Sequence, residues 1–160
     1  AMALAAGATD EDIRGGLESA VIEPGRMTPI QLERCLLVDD TYNASPQAVR
    51  AAIDWLAHQS GHRILVMGGL SELGDAASSE MKALGAYAKS QRIDQLVATG
   101  TAAPIAEGFG VGSFYAETIE ETVSHLSQIV AHTDAMLIKG SRSAHMNRVV
   151  DALQCQQGGQ

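Results

Sequence analysis

At 160 residues, with 46% hydrophobic but only 4% aromatic side chains, the chain has material for one good core and at most a fragment of a second unit. Its 11 basic against 19 acidic residues, net −8, exclude the basic face that a nucleic-acid surface needs. No apolar run approaches the roughly 20 residues of a membrane-spanning helix, so membrane insertion is not expected.

The opening stretch, AMALAAGATDED, lacks a basic n-region and a long apolar h-region, so it does not read as a secretory signal. Thr9-Asp10-Glu11-Asp12 reads as a helix cap with an acidic first turn. The helix behind it offers only Ile13 and Leu17 as apolar contacts, and Gly15-Gly16 weaken it. Glu23-Pro24-Gly25-Arg26 is a breaker, which makes residues 1–23 the trailing helix of something upstream. Met27–Leu32 alternates loosely and reads as an edge strand.

The organising stretch is Leu36–Leu56. A buried strand over Cys35–Asp39 stops at two aspartates and a polar loop, Thr41–Ser45, follows. Ser45 is placed to cap the next helix and Pro46 to open it, where its missing N–H costs nothing. Val49, Ala52, Ile53 and Leu56 then mark one buried face. Beyond it come a strand at Arg63–Met67, the glycine-rich loop Gly68–Gly74 and a helix at about 79–90 facing inward through Met81, Leu84 and Ala88. A strand at Gln95–Thr99 leads into a short helix, Ala102–Glu107, and a weaker strand, Gly112–Tyr115. Thr118-x-x-Glu121 is a capping box, and Ile119, Val123, Leu126 and Val130 form its buried stripe. A last strand, Ala135–Ile138, ends at Lys139-Gly140-Ser141-Arg142-Ser143. Met146, Val149, Val150 and Leu153 give the final amphipathic helix, before a polar tail. Strands alternating with helices on short connections predict an α/β fold: a Rossmann-like three-layer sandwich with a mostly parallel sheet of about six strands.

In such sheets ligands bind outside the carboxyl ends of the strands, where loops 39–45, 68–74, 100–103 and 139–143 gather. The opposite loops are polar too, so polarity alone discriminates nothing. Gly68–Gly74 matches neither G-x-G-x-x-G nor the phosphate loop ending in G-K-S/T, and it reads as a structural turn. Asp39-Asp40 could hold a ribose, a Mg²⁺ ion or nothing. Lys139-Gly-Ser-Arg142 is either a carboxylate or phosphate clamp or a solvated cationic cap. The histidines at 58, 62, 125, 132 and 145 have no ligand spacing, and no metal site is expected from them. The two cysteines, Cys35 and Cys155, have no metal-like partner spacing and read as inert thiols in a reducing cytoplasm.

Taken together, Pro24-Gly25-Arg26, Asp39-Asp40-Thr41-Tyr42-Asn43-Ala44-Ser45-Pro46, Glu72-Leu73-Gly74 and Lys139-Gly140-Ser141-Arg142-Ser143 resemble the C-terminal part of the Mur ligase family. Within it they are similar to the branch that adds D-alanyl-D-alanine to UDP-MurNAc-tripeptide. The resemblance implies an ATP- and Mg²⁺-dependent ligase of three domains, cytoplasmic, serving peptidoglycan synthesis and hence cell shape and division. Its reaction activates the tripeptide carboxylate as an acyl phosphate, which the dipeptide amine attacks. By the same resemblance Arg26 reaches the nucleotide phosphates, Asp40 holds the ATP ribose with Asp39 beside it, and Tyr42 and Asn43 line the nucleotide side. Lys139, Ser141 and Arg142 would face the dipeptide or the peptide stem.

The resemblance also divides the chain: residues 1–25 as remnant helix of a central domain and hinge, 26–155 as the C-terminal domain, 156–160 as tail. The N-terminal and central domains of the same chain are then the expected partners. Without a phosphate loop, residues 1–160 alone are expected to be catalytically silent. Two departures stand out. Gly69-Leu70-Ser71 replaces the family's G-D-M, and Met81 stands where a histidine is common. The competing reading is a non-catalytic Rossmann-like nucleotide-binding or scaffolding module; a folate-adding ligase is a second, which the Tyr42-Asn43 loop disfavours.

Overall fold

The structure, a computed structural model, describes residues 5–19, 23–71 and 74–157. Glu72 and Leu73 of the family-like motif, residues 1–4 and 20–22 of the first segment, and the end of the tail at 158–160 lie outside the described residues. The sheet has six strands: β1 (Thr28–Gln31), β2 (Leu36–Asp40), β3 (Arg63–Met67), β4 (Gln95–Thr99), β5 (Ser113–Ala116) and β6 (Ala135–Lys139). Their order is β1-β2-β6-β3-β4-β5, with β1 antiparallel to β2 and every other pair parallel. This is the expected α/β, mostly parallel sheet, and β1 is the edge strand read from Met27–Leu32.

Six α-helices are seen among the described residues: α1 (Asp10–Glu18), α2 (Pro46–Ala57), α3 (Ala77–Ser90), α4 (Ala103–Phe109), α5 (Ile119–Ile129) and α6 (Asn147–Gln157). Helices α2, α3 and α4 pack on one face of the sheet and α5 and α6 on the other, as their core partners show. The central strands β3, β4 and β6 carry continuous apolar runs because both faces are covered. Leu65 and Leu137 face the first core while Ile64, Val66, Met136 and Ile138 face the second. Each such side chain contributes about 1.5–3 kcal/mol of burial. Helices α3 and α4 touch backbone to backbone, because a Cβ on Gly85 would strike the Ile105 carbonyl and one on Gly108 the Lys82 carbonyl.

Local signals set the helix starts. Ser45 Oγ accepts from Ala48 N at 3.2 Å and Pro46 occupies the first turn of α2. Thr9 and Asp12 form a reciprocal capping box on α1, yet no residue of α1 is buried and Leu17 is 72% exposed. The stripe expected on α5 does face the second core, though less deeply than expected. Leu126 and Thr122 are its buried residues, Ile119 and Val123 are only partly covered, and Val130 falls in a terminal 3₁₀ turn. Thr122 is tolerated there because its hydroxyl donates to the Thr118 carbonyl at 2.8 Å. Glu121, in turn, accepts from Glu117 N instead of closing the box on Thr118. The two family departures are packing positions: Met81 is 6% exposed in the first core, and Leu70 packs against it.

Candidate functional site

Strand β2 continues one residue beyond its expected end, so Asp40 still pairs in register with Lys139, and Lys139 with Met67 on the other side. That register creates the site. Lys139 Nζ lies 2.6 Å from Asp40 Oδ2 and donates to the Asn43 carbonyl at 2.9 Å, with only 2% of the residue exposed. The other Asp40 oxygen, Oδ1, accepts from Met27 N at 3.3 Å, so one carboxylate ties the linker before β1 to the end of β6. A buried ion pair persists when further hydrogen bonds satisfy both partners, as here.

The linker is fastened a second time. Gly25 takes a left-handed φ of 77°, and its carbonyl accepts from Tyr42 N at 2.9 Å. A Cβ on Gly25 would sit 3.1 Å from that nitrogen. The guanidinium of Arg26 lies 3.9 Å above the Tyr42 ring, a cation–π contact on an exposed surface. Loop 68–71 is joined to loop 140–143 by Gly68 N to the Lys139 carbonyl and Ser141 N to the Gly69 carbonyl, at 2.8 and 2.9 Å. Gly68–Gly69 therefore continue the hydrogen bonding of the sheet, where the sequence predicts the start of a turn over Gly68–Gly74.

Three cavities border the 41–45 loop, the smallest of them, about 470 Å³, on the side of Gly25, Asp39 and Thr41. The first, about 620 Å³, is walled by Arg26, Asp40, Tyr42, Asn43 and Lys139, with Met27, Ala48, Ala52 and Trp55 as its apolar side. The second, about 610 Å³, is lined by the other faces of Tyr42 and Asn43, with Ser71, Arg142, Ser143 and His145. Of the expected nucleotide-side residues, Arg26, Asp40, Tyr42 and Asn43 thus come together. Asp39 does not join them: its carboxylate accepts from Thr41 N at 3.1 Å and Thr41 Oγ1 at 2.7 Å, closing the turn. The trio expected to face the other substrate is split. Lys139 sits with Asp40, and Ser141 is buried with its hydroxyl 3.1 Å from that of Ser143. Arg142 alone opens onto the second cavity.

The sequence missed Trp55 and Met27 on one side and Ser71, Ser143 and His145 on the other as lining residues. Trp55 lies off the buried stripe of α2, and its position as the sole tryptophan was the one available signal. Among the described residues no group of three or more His, Cys, Asp or Glu side chains could hold a metal ion. No helix of the described residues is long and apolar enough to cross a membrane. Cys35 is buried, and burial, aided by the nearby Asp134 carboxylate, pushes its thiol up to about 11; Cys155 is exposed.

The family described as "Mur ligase, glutamate ligase domain" matches residues 25–142. UDP-N-acetylmuramoyl-tripeptide--D-alanyl-D-alanine ligase of Escherichia coli is 38% identical over 158 residues, covering 96% of this chain and 35% of its own length. The crystal structure of MurF from Acinetobacter baumannii superposes with a TM-score of 0.84 at 37% identity, over 95% of this chain and 34% of that one. MurF ligase from Thermotoga maritima in complex with ADP gives 0.82 at 26% identity, over 98% and 36%. A folylpolyglutamate synthase/dihydrofolate synthase from Yersinia pestis, complexed with AMPPNP and a Mn ion, gives 0.64 at 26%, over 91% and 35%. The chain spans about a third of the length of the curated relatives it matches. It belongs to the Mur ligase family, whose C-terminal domain it carries in a form homologous to that of MurF.

Proposed function

We propose that this domain forms the C-terminal wall of the active site in an ATP-dependent ligase that joins D-alanyl-D-alanine to UDP-MurNAc-tripeptide in cytoplasmic peptidoglycan precursor synthesis. The observation that carries the reading is the first cavity. It brings a free-faced arginine, an aromatic ring, a carboxylate and an apolar wall around a volume that suits a nucleoside phosphate. The complexes of two homologous structures with ADP and with AMPPNP support it. ATP supplies the phosphoryl group that activates the substrate carboxylate. Arg26 would meet its phosphates, Asp40 would accept from a ribose hydroxyl, and Met27, Tyr42 and Trp55 would cover the nucleoside. Asn43 would stand between the two substrates. Arg142, with Ser71 and Ser143, would receive a carboxylate of the dipeptide or the peptide stem, since its guanidinium forms no ion pair among the described residues. Fixing the acyl and amine partners in one cleft is the main contribution such positioning makes. The Mg²⁺ of the reaction finds no ligand set among the described residues, and we assign it to the rest of the longer ligase.

We place residues 26–155 in the C-terminal domain and residues 1–25 in the hinge and the helix before it. Residues 1–160 by themselves are expected to leave ATP intact, and turnover above blank by the purified domain would contradict that. The reaction itself is tested on the full-length parent. Phosphate release should require both UDP-MurNAc-tripeptide and D-alanyl-D-alanine. Release that ignores the dipeptide would overturn the substrate assignment.

A further inference from the structure

Lys139 is the one buried charged side chain among the described residues, and its two bonds reach both sides of the 41–45 loop. One bond fixes Asp40, in the wall of the first cavity. The other fixes the carbonyl of Asn43, whose side chain, with that of Tyr42, lines both cavities. The loop's other fastenings lie on either side of Asn43: Thr41 is bonded to the Asp39 carboxylate, Ala44 is buried in the first core and Ser45 caps α2. Asn43 Oδ1 folds back on Ala44 N at 2.8 Å, and Tyr42 N is spent on the Gly25 carbonyl at 2.9 Å. Lys139 lies on a rigid central strand, between β2 and β3, so it transmits the position of the sheet to the loop.

We infer that Lys139 is a positioning residue that holds the Tyr42-Asn43 loop as a common partition between the nucleotide cavity and the second cavity. Binding on both sides then depends on a side chain that faces neither the dipeptide nor the peptide stem. This rests on the reading of the two cavities given above, and it moves Lys139 out of the substrate-contacting set. An ammonium on the sheet with both acceptors satisfied sets geometry; the exposed Arg142 remains the group that can meet an incoming anion.

The test uses the full-length parent with Lys139→Met, which keeps the stem and removes the charge, and Arg63→Met, which breaks an ion pair at the other end of the sheet. Amide exchange over residues 41–45 should quicken about tenfold or more in Lys139→Met and stay unchanged in Arg63→Met. In steady-state assays the KM for ATP and the KM for D-alanyl-D-alanine should both rise, each about tenfold, while Arg63→Met moves neither. Exchange that stays unchanged in Lys139→Met overturns the inference whatever the kinetics show. A rise confined to ATP also overturns it, making Lys139 a direct nucleotide contact. A wild-type parent that makes no pentapeptide product sinks the functional reading instead, and the exchange experiment still decides the positioning role.

Discussion

The two ends of the sheet carry similar charge and opposite designs. At the amino end of the strands, Arg63 Nε meets Asp94 at 3.0 Å, and its remaining donors go to the Ala57 and Arg92 carbonyls. Asp134 accepts from His62 N at 2.7 Å. These groups satisfy one another and close chain turns at the surface. At the carboxyl end the ion pair of Asp40 and Lys139 is buried, and Arg26, Tyr42 and Arg142 keep open faces toward two cavities. Charge content therefore does not mark a site; charge left unused beside a cavity does.

That contrast is broken most strongly at Lys139. Lys139→Met strands the Asp40 carboxylate in a largely buried setting and should cost about 3–5 kcal/mol in chemical denaturation. Arg63→Met, at the other end, should cost about 1–3 kcal/mol, because its half-exposed partners recover water. It should leave the KM for ATP where it was.

The acid limb of stability should belong to the far end as well. Burial alone would raise the Asp94 carboxyl, but the Arg63 backbone N–H, its guanidinium hydrogen bond and charge, and His62 together hold it below its ordinary value. A depressed carboxylate stabilises the fold above its unfolded pKa, and that contribution is lost as pH falls through the folded value. Asp94→Asn should flatten the loss of stability on acidification below about pH 5, read from denaturation midpoints. The smallest effect belongs to Tyr42→Leu. At 41% exposure its stability change should stay within about 0.5 kcal/mol, while loss of the ring contact raises the KM for ATP about two- to fivefold.

Much of this was legible in the chain. Ser45-Pro46 announced the start of α2, and continuous apolar runs such as RILVM announced strands buried on both faces. The motifs around Asp40 and Lys139 announced the family. The pairing of those two residues was not legible, because they stand 99 positions apart and local pattern cannot say that β6 inserts between β2 and β3. Asp39 and Asp40 looked equivalent in sequence. The pleat sends them to different partners, one to Thr41 and the other to Lys139. The α5 stripe was legible, but Thr122 was not, because a threonine that bonds its own helix can be buried as well as a valine.

The most direct measurement is calorimetric titration of the full-length parent with ADP, comparing Asp40→Ala with Asp94→Ala. The account predicts at least about tenfold weaker binding for Asp40→Ala, through a lost acceptor and a slackened loop, and unchanged binding for Asp94→Ala. Equal affinities in both variants and the wild type would contradict it, and the carboxyl end of the sheet would lose its claim to the nucleotide.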